Sequence, residues 1–260
     1  MDMVCFAMKS LPLFSLRIQK LIVVLKNDVL RRALFKNYVL AAVEHRPVLN
    51  KSLKTIVDIG ANRGQFALAA RVYSGARVFS FEPLTGPAAI YQKVFHNDSS
   101  VKLYITAIGP HSGKNFMHVS AREDSSSLLE IGDAQINYFP GTQEIGTVEV
   151  MVKPLNELLE HEDIISPAML KLDVQGFELE ALQGCELLLD KFDWVYCECS
   201  FVELYSGQKL AADVIDWLSK KNFYIKKVFN PMYDSDSGII QADILFQRKG
   251  TGERLDADSN

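Results

Sequence analysis

The chain has 260 residues, of which 48% are hydrophobic and 23% charged, and this length and composition suit one large α/β domain with a short appendage. The net charge is −4, but residues 1–50 carry eight Lys/Arg against three Asp/Glu, which leaves −9 on the remaining residues. Because nucleic-acid binding needs a clustered basic surface, the acidic body excludes DNA and RNA as expected partners.

The apolar runs near the start, such as residues 21–25, are far shorter than the roughly 20 residues that cross a bilayer, and no signal-peptide pattern follows them. The four cysteines are Cys5, Cys185, Cys197 and Cys199, and none has the spacing of a zinc site. We therefore expect neither a transmembrane segment nor a metal centre, and the absence of a disulfide pattern favours a cytoplasmic location.

The first predicted element is a helix over residues 18–43, in which apolar residues recur at helical spacing with basic residues between them. We interpret it as a helix that packs on the domain and exposes a basic face; weak contact with a membrane surface is the alternative. The predicted organisation is a helical extension (residues 1–50), a catalytic domain (residues 51–250) and a flexible tail (residues 251–260).

Strands and helices alternate along the predicted domain. Strands are predicted at 55–59, 77–81, 101–105, 147–152, 169–172 and 194–199, with helices at 65–73, 87–95, 155–160, 177–189 and 211–221. This alternation implies a mostly parallel sheet with helices on both faces. The last strands, at 224–229 and 243–247, have no helix between them, so we expect them to form an antiparallel hairpin.

Residues 106–146 give no clear period, and 120–146 read as a long loop with turn residues and the aromatics Tyr138 and Phe139. Loops of this length in compact domains are usually functional or disordered. We predict that this segment covers the active site and that the two aromatic residues help to select the substrate.

The first predicted strand ends in a glycine-containing turn, Asp58-Ile-Gly60-Ala61-Asn62-Arg63-Gly64. In open α/β sheets ligands bind at the carboxyl ends of the strands, and glycine lets the backbone approach a ligand closely. A dinucleotide fingerprint would have glycine where this chain has Asp58, whose charge would repel a diphosphate. A cationic ligand such as S-adenosylmethionine fits better, with Asp58 orienting the loop or binding the ammonium group.

Glu82 closes the second predicted strand, 24 residues after Asp58. An acidic side chain at that position can accept hydrogen bonds from both hydroxyls of a ribose. Such bonds to a charged group contribute about 1.5–3 kcal/mol each, so the loss of Glu82 should weaken nucleoside binding.

These motifs, taken together, resemble the FkbM-type methyltransferases. The resemblance runs from about residue 53 to 248 and rests on five blocks: Val-Asp-Ile-Gly-Ala-Asn-Arg-Gly at 57–64, Phe-Glu-Pro at 81–83, Ala-Ile-Gly at 107–109, Ser-Ser-Ser-Leu-Leu at 125–129 and Lys-Leu-Asp-Val-Gln-Gly-Phe-Glu at 171–178. It implies a Rossmann-like class I methyltransferase fold with a seven-stranded sheet, S-adenosylmethionine as methyl donor and an acceptor oxygen on a sugar or other secondary metabolite.

The resemblance also implies roles for single residues. The loop on the methionine side of the cofactor would be formed by Asp58, Gly60, Ala61, Asn62 and Gly64. Glu82, with Pro83 beside it, would hold the ribose, and Ala107 and Ile108 would lie against adenine. Asp173 would stand beside the reacting methyl group. The family usually has glutamate where this chain has Gln175, so an acid or base role there is in doubt.

Three carboxylates are candidate catalytic residues. Asp173 follows a buried strand where substrate must approach and is the first candidate for a general base; capping the next helix or binding the cofactor ammonium are its alternatives. Glu178 is the second candidate, although a first-turn glutamate is also favoured by the helix dipole. Glu198 is charged in a central strand and is the third. The five histidines, His45 among them, lie outside the motifs and are predicted to have no special role.

Two other functions stay open. A non-catalytic protein could keep the cofactor-binding fold and use it to bind a partner. The presence of both Asp58 and Glu82 argues against the loss of the cofactor site that this would imply. A nicotinamide-dependent oxidoreductase is disfavoured by Asp58 and by the terminal hairpin. The expected partner is a small-molecule or glycan acceptor, and the oligomeric state is open.

Overall fold

The computed structural model describes Val24 and residues 27–235 and 238–251. Its α-helices are α1 (Asp28–Asn37), α2 (Gln65–Tyr73), α3 (Thr85–Phe95), α4 (Asp133–Tyr138), α5 (Glu178–Gly184) and α6 (Ala211–Lys220). Its strands are β1 (Thr55–Ile59), β2 (Arg77–Phe81), β3 (Val101–Tyr104), β4 (Ala107–Ile108), β5 (Gly113–Ser120), β6 (Glu144–Lys153), β7 (Ala168–Leu172), β8 (Trp194–Ser200), β9 (Phe223–Asp234) and β10 (Gly238–Arg248).

The larger sheet has seven strands in the order β3-β2-β1-β7-β8-β10-β9. Strands β1, β2, β3, β7 and β8 pair in parallel, whereas β10 runs antiparallel to both of its neighbours. This confirms the predicted sheet with its terminal hairpin.

The core lies on both faces of this sheet, because successive residues of a strand point to opposite sides. On β1, Val57 and Ile59 join a cluster that includes residues of α5 and α6, while Ile56 joins a second cluster that includes residues of α1 and α2. Every residue of β1 and of β7 is buried, as expected for central parallel strands.

The register of the central strands brings three chain segments to one edge of the sheet. Ile59, the last residue of β1, lies beside Phe81 at the end of β2 and beside Leu172 at the end of β7. The residues that follow, Gly60, Glu82 and Asp173, therefore emerge at the same edge. This is the edge at which ligands bind in open α/β sheets.

The predicted helix over 18–43 is wrong after Asn37. Helix α1 ends at Asn37, because Tyr38 adopts a left-handed conformation (φ 57°) and its N–H donates to Ala33 and Leu34. A 3₁₀ helix, Val43–Val48, follows and contains Pro47. Residues 18–23, 25 and 26 of the predicted helix, and 252–260 of the predicted tail, lie outside the described residues. None of the helices described in the structure is long and apolar enough to cross a membrane.

The stretch predicted to be irregular contains β4 and β5, which form a second sheet with β6, the strand predicted at 147–152. Strand β6 pairs with β4 in parallel and with β5 in antiparallel fashion. The sequence concealed β5 because its first four residues are all exposed, so no alternation of apolar and polar residues marks it. The predicted helix at 155–160 is instead two 3₁₀ turns, Leu155–Glu157 and His161–Asp163.

Two further boundaries differ from the prediction. The helix expected at 177–189 ends at Gly184, which packs so closely that an added Cβ would lie 2.5 Å from the carbonyl oxygen of Gly109; a 3₁₀ helix, Glu186–Lys191, follows. Strands β9 and β10 extend through most of the residues that were predicted as a polar connection. Burial does not alternate along β9, so no strand pattern marked it in the sequence.

Candidate active site

A cavity of about 480 Å³ opens at the carboxyl ends of β1, β2 and β7, a volume within the usual range for small-molecule sites. Seven of the nine residues predicted to bind the cofactor line it: Gly60, Ala61, Asn62, Glu82, Pro83, Ala107 and Ile108. Asp58 and Gly64 are not among its lining residues.

The turn after β1 is folded tightly onto both neighbouring strands. The N–H groups of Gly60 and Ala61 both donate to the carbonyl oxygen of Phe81 at 3.1 Å. Gly60 has φ +78°, and a Cβ at this position would lie only 1.8 Å from the carbonyl oxygen of Asp173. Glycine is therefore required for the close contact between the β1 turn and the end of β7.

Asp58 lies beneath the cavity and is fully buried. Its Oδ1 is 2.9 Å from the Nζ of Lys171, which also donates to the carbonyl oxygen of Gly60 at 3.0 Å. Burial acts to lower the pKa of Lys171, but the charges of Asp58 and Asp173 raise it above its ordinary value, so the ammonium group stays charged. Of the two roles considered for Asp58, the geometry favours orientation of the loop.

Glu82 is a buried carboxylate in the cavity wall and fixes the turns on either side of it. Its Oε2 accepts from the N–H of Asn62 at 2.9 Å, and its Oε1 accepts from the N–H of Leu84 at 2.8 Å. Burial raises the pKa of Glu82 to about 7, against the opposing effect of these two N–H groups. Each carboxylate oxygen keeps a further lone pair, which suits a donor such as a ribose hydroxyl.

Other lining residues fit the remaining parts of S-adenosylmethionine. The buried Oε1 of Gln65 has no hydrogen-bond partner among the described residues, so it can accept from an ammonium group. Leu84, Ile108, Met117 and Leu128 form an apolar wall that suits a flat base. The donors and acceptors present therefore fit this cofactor.

Asp173 lines the cavity with 41% of its side chain exposed. The Nε2 of Gln175 donates to the Oδ1 of Asp173 at 2.7 Å and to the Oε2 of Glu198 at 2.9 Å, and its Oε1 accepts from the hydroxyl of Tyr205 at 2.9 Å. An amide nitrogen has two hydrogens, one for each carboxylate, whereas an ionised glutamate would have none. Gln175, which stands where the family usually has glutamate, thus gives Asp173 a neutral donor that orients it.

Glu198 lies behind Gln175 and is not among the residues that line the cavity. Burial, with the charges of Asp173 and Asp243, raises the pKa of Glu198 well above its ordinary value. The catalytic role predicted from its position in a central strand is not supported by this geometry. Glu198 instead accepts a hydrogen bond from Gln175, which is a contact that positions the glutamine side chain.

Glu178 is also withdrawn from the cavity. It is buried and accepts from the N–H groups of Val174 and Gly176, both at 3.1 Å, so it holds the turn between β7 and α5. Burial raises its pKa to about 7. The alternative to catalysis, a local structural role at the start of the helix, agrees with this placement.

We expect Glu178→Gln to keep methyl transfer and to alter how stability depends on pH. The folded state holds the Glu178 proton up to about pH 7, whereas an unfolded glutamate releases it near its ordinary pKa of about 4.3, so wild-type stability falls as the pH rises between these values. Glutamine removes this loss, and urea unfolding should show a gain relative to wild type of as much as about 3 kcal/mol between pH 4.5 and 8. A constant difference between the two proteins over that range would contradict the assignment.

The segment before the domain supplies cavity residues that the sequence did not reveal. Residues 38–40, 42, 44 and 45 all line it, and the N–H of Ala42 donates to the carbonyl oxygen of Gln65 at 3.0 Å. His45, predicted to have no special role, is among them. No sequence signal marked this segment, because its contacts are with residues distant in the chain.

The segment predicted to cover the site does so only in part. Glu123, Asp124, Ser126 and Leu128 line the cavity. Tyr138 and Phe139 do not: Tyr138 ends helix α4, Phe139 follows it, and both pack on a separate apolar cluster of Leu204, Tyr205 and Ile240. This geometry gives no support to the prediction that the two aromatic residues help to select the acceptor. Within the described residues no group of His, Cys, Asp or Glu has the geometry of a metal site.

A seven-stranded sheet with an antiparallel strand inserted next to its edge, and a cavity over the strand ends with the buried Glu82 in its wall, define a class I S-adenosylmethionine-dependent methyltransferase. The chain belongs to the FkbM family: the family model described as "Methyltransferase FkbM domain" matches residues 58–225.

Two relatives share this region. The 2-O-methyltransferase NoeI of Sinorhizobium fredii (strain NBRC 101917 / NGR234) is 27% identical over 184 residues, which cover 67% of this chain and 76% of NoeI. Methyltransferase 1 of Beauveria bassiana (strain ARSEF 2860) is 27% identical over 186 residues, or 65% of this chain and 72% of that protein. Among solved structures, the SMU.1697c putative methyltransferase from Streptococcus mutans in complex with SAH matches with a TM-score of 0.45 and 9% identity, over 79% of this chain and 94% of that one.

Proposed function

We propose that this methyltransferase transfers the methyl group to a hydroxyl oxygen of a sugar or another small polar acceptor. The observation that carries the proposal is the exposed carboxylate of Asp173, which stands in the cavity at the end of β7 and is oriented by Gln175. A carboxylate held in this way accepts hydrogen bonds from hydroxyl groups and can fix an acceptor beside the cofactor. The name of NoeI, a 2-O-methyltransferase, supports the same kind of acceptor atom.

The charges around the cavity support a small polar acceptor and disfavour a nucleic acid. Acidic side chains outnumber basic ones in the cavity wall: Glu44, Glu82, Glu123, Asp124 and Asp173 line it, against Arg63 and Lys171. A phosphate backbone would be repelled by the acidic side chains, whereas a neutral molecule with several hydroxyls could donate to their oxygens.

The chemistry divides between cofactor and protein. Bound S-adenosylmethionine supplies a methyl group made electrophilic by its sulfonium. The chain contributes the placement of the acceptor oxygen in line with the breaking bond, and correct placement can account for about 7–11 kcal/mol of a reaction barrier. Asp173 and Gln175 hold the acceptor side, while Glu82 and the turn after β1 hold the nucleoside side.

The test is a calorimetric titration with S-adenosylmethionine followed by an acceptor screen. We expect micromolar binding of the cofactor and none of NAD. Protein given S-adenosylmethionine with a labelled methyl group and a panel of methyl glycosides and oligosaccharides should form S-adenosylhomocysteine and a labelled product. Because a methyl ether survives mild alkali and a methyl ester does not, alkali-stable label marks an oxygen ether. Cofactor binding without any turnover would favour the non-catalytic module, and alkali-labile label would contradict the hydroxyl acceptor.

A further inference from the structure

His45 occupies a polar pocket built from distant parts of the chain. It belongs to the 3₁₀ helix Val43–Val48 and lines the cavity, with 19% of its side chain exposed. Its ring packs against the rings of Phe66 and Tyr196, each with centroids 5.5 Å away. The imidazole is therefore fixed in orientation and still reaches the cavity.

One nitrogen of His45 is engaged within the protein. Its Nδ1 lies 2.9 Å from the hydroxyl oxygen of Tyr196 on β8 and 3.8 Å from the Oδ2 of Asp243 on β10. The Nδ2 of Asn230 donates to the same Oδ2 of Asp243 at 2.7 Å, so the carboxylate is itself oriented. These contacts join Asn230, Asp243, His45 and Tyr196 in one polar cluster.

The groups beside Nδ1 indicate which nitrogen of His45 carries hydrogen. Burial and the charge of the Asp243 carboxylate raise the pKa of Tyr196, so the phenol keeps its proton. The Oδ2 of Asp243, 3.8 Å from Nδ1, can only accept, and this favours a hydrogen on Nδ1. The other nitrogen, Nε2, is left with its lone pair.

Nε2 is free to meet a ligand. Nε2 makes no hydrogen bond to any described residue. It is also not one of the fully buried polar atoms without a partner, and His45 lines the cavity, so a ligand can reach it. An oriented imidazole with a free lone pair, held at Nδ1 by a third group, has the geometry of a general base.

The surrounding charges keep His45 neutral. Burial lowers its pKa below the ordinary value, and Lys171 on β7 acts in the same direction. Asp243 on β10, the neighbouring Glu44, and Asp173 after β7 oppose this, but burial is the largest effect. The imidazole is therefore unprotonated at neutral pH, as a base must be.

We propose that His45 is a catalytic residue: its Nε2 takes the proton of the acceptor hydroxyl as that oxygen attacks the methyl group. The inference rests on the proposed function. The O–H bond breaks and an N–H bond forms at Nε2; a new O–CH₃ bond forms while the S–CH₃ bond breaks, and its electron pair returns to sulfur. The imidazolium then releases the proton to water.

The kinetic test compares His45→Gln with His118→Gln. His118 is a fair control, since it is also a partly buried histidine bonded at Nδ1, to Glu144, but is not among the residues that line the cavity. We expect His45→Gln to lower the single-turnover rate of labelled methyl transfer by about 10²–10⁴-fold and to leave the calorimetric Kd for S-adenosylmethionine within about twofold. The rise of the wild-type rate with pH should disappear in His45→Gln. A rate within about threefold of wild type would overturn the proposal.

A second measurement needs no acceptor. Nitrogen NMR of histidine-labelled protein with S-adenosylhomocysteine, assigned through the signals missing in His45→Gln, should show a neutral ring with hydrogen on Nδ1 at pH 7.5. Asp243→Asn should shift that tautomer toward Nε2–H. A wild-type ring that is protonated, or that carries hydrogen on Nε2, would overturn the proposal. Failure of the wild type to bind the cofactor or to form an alkali-stable product would instead count against the proposed O-methylation.

Discussion

Replacing Lys171 by methionine is expected to lower the free energy of unfolding by about 3–5 kcal/mol, because it leaves Asp58 as a buried charge without a partner. Asp58 is fully buried, and only 6% of the Lys171 side chain is exposed. The same ammonium group bonds the carbonyl oxygen of Gly60, so its loss also releases the turn that lines the cavity. Urea unfolding, monitored at pH 8, measures the change.

Two variants separate this effect from a general loss of positive charge. Lys114→Met breaks an exposed ion pair with Glu149 on the second sheet, and we expect no measurable change in stability. Adding Asp58→Asn to Lys171→Met removes the unpaired charge and should recover part of the stability. Two results would contradict the pairing of Asp58 with Lys171. One is a Lys171→Met protein as stable as the wild type, and the other is a double variant that is less stable than Lys171→Met.

The Asp58–Lys171 pair shows what the sequence could and could not predict. Both residues stood in recognisable motifs, and both strands were placed correctly. The contact itself depends on register: Asp58 lies directly beside Lys171, and Lys171 beside Tyr196, across β1, β7 and β8. This row of polar residues can be recognised only once the strand order is known. Local periodicity does not reveal that β1 pairs with β7, which begins 113 residues later.

The same limit explains why His45 was missed. Local patterns predicted Glu82 and the turn after β1, because each follows directly from a strand end. The cavity wall formed by residues 38–45 comes from a non-regular segment and a short 3₁₀ helix, and what positions it is contact with α2 and β8. Sequence reasoning assigned these residues to an extension outside the domain, whereas they complete its site.

Glu82→Gln is expected to weaken S-adenosylmethionine binding by about 100-fold or more. Hydrogen bonds to a charged group contribute about 1.5–3 kcal/mol each, and a carboxylate can accept from both ribose hydroxyls. Glutamine has one acceptor oxygen, and its NH₂ group would face the N–H of either Asn62 or Leu84, both of which now donate to Glu82. Calorimetry gives the affinity, and Glu149→Gln, an exposed glutamate on β6, is the matched control.

The pH dependence of this affinity tests the same carboxylate without a substitution. The pKa of Glu82 is raised to about 7 by burial, so the group is increasingly protonated as the pH falls below that value. A protonated Glu82 has lost one acceptor and its charge, and the cofactor must bind the ionised form. The Kd of the wild type should therefore be constant above about pH 8 and rise by up to tenfold per pH unit below pH 7, as for a single linked proton. In Glu82→Gln this dependence should vanish. If the variant kept it, another group would control cofactor binding, and the ribose role of Glu82 would have to be given up.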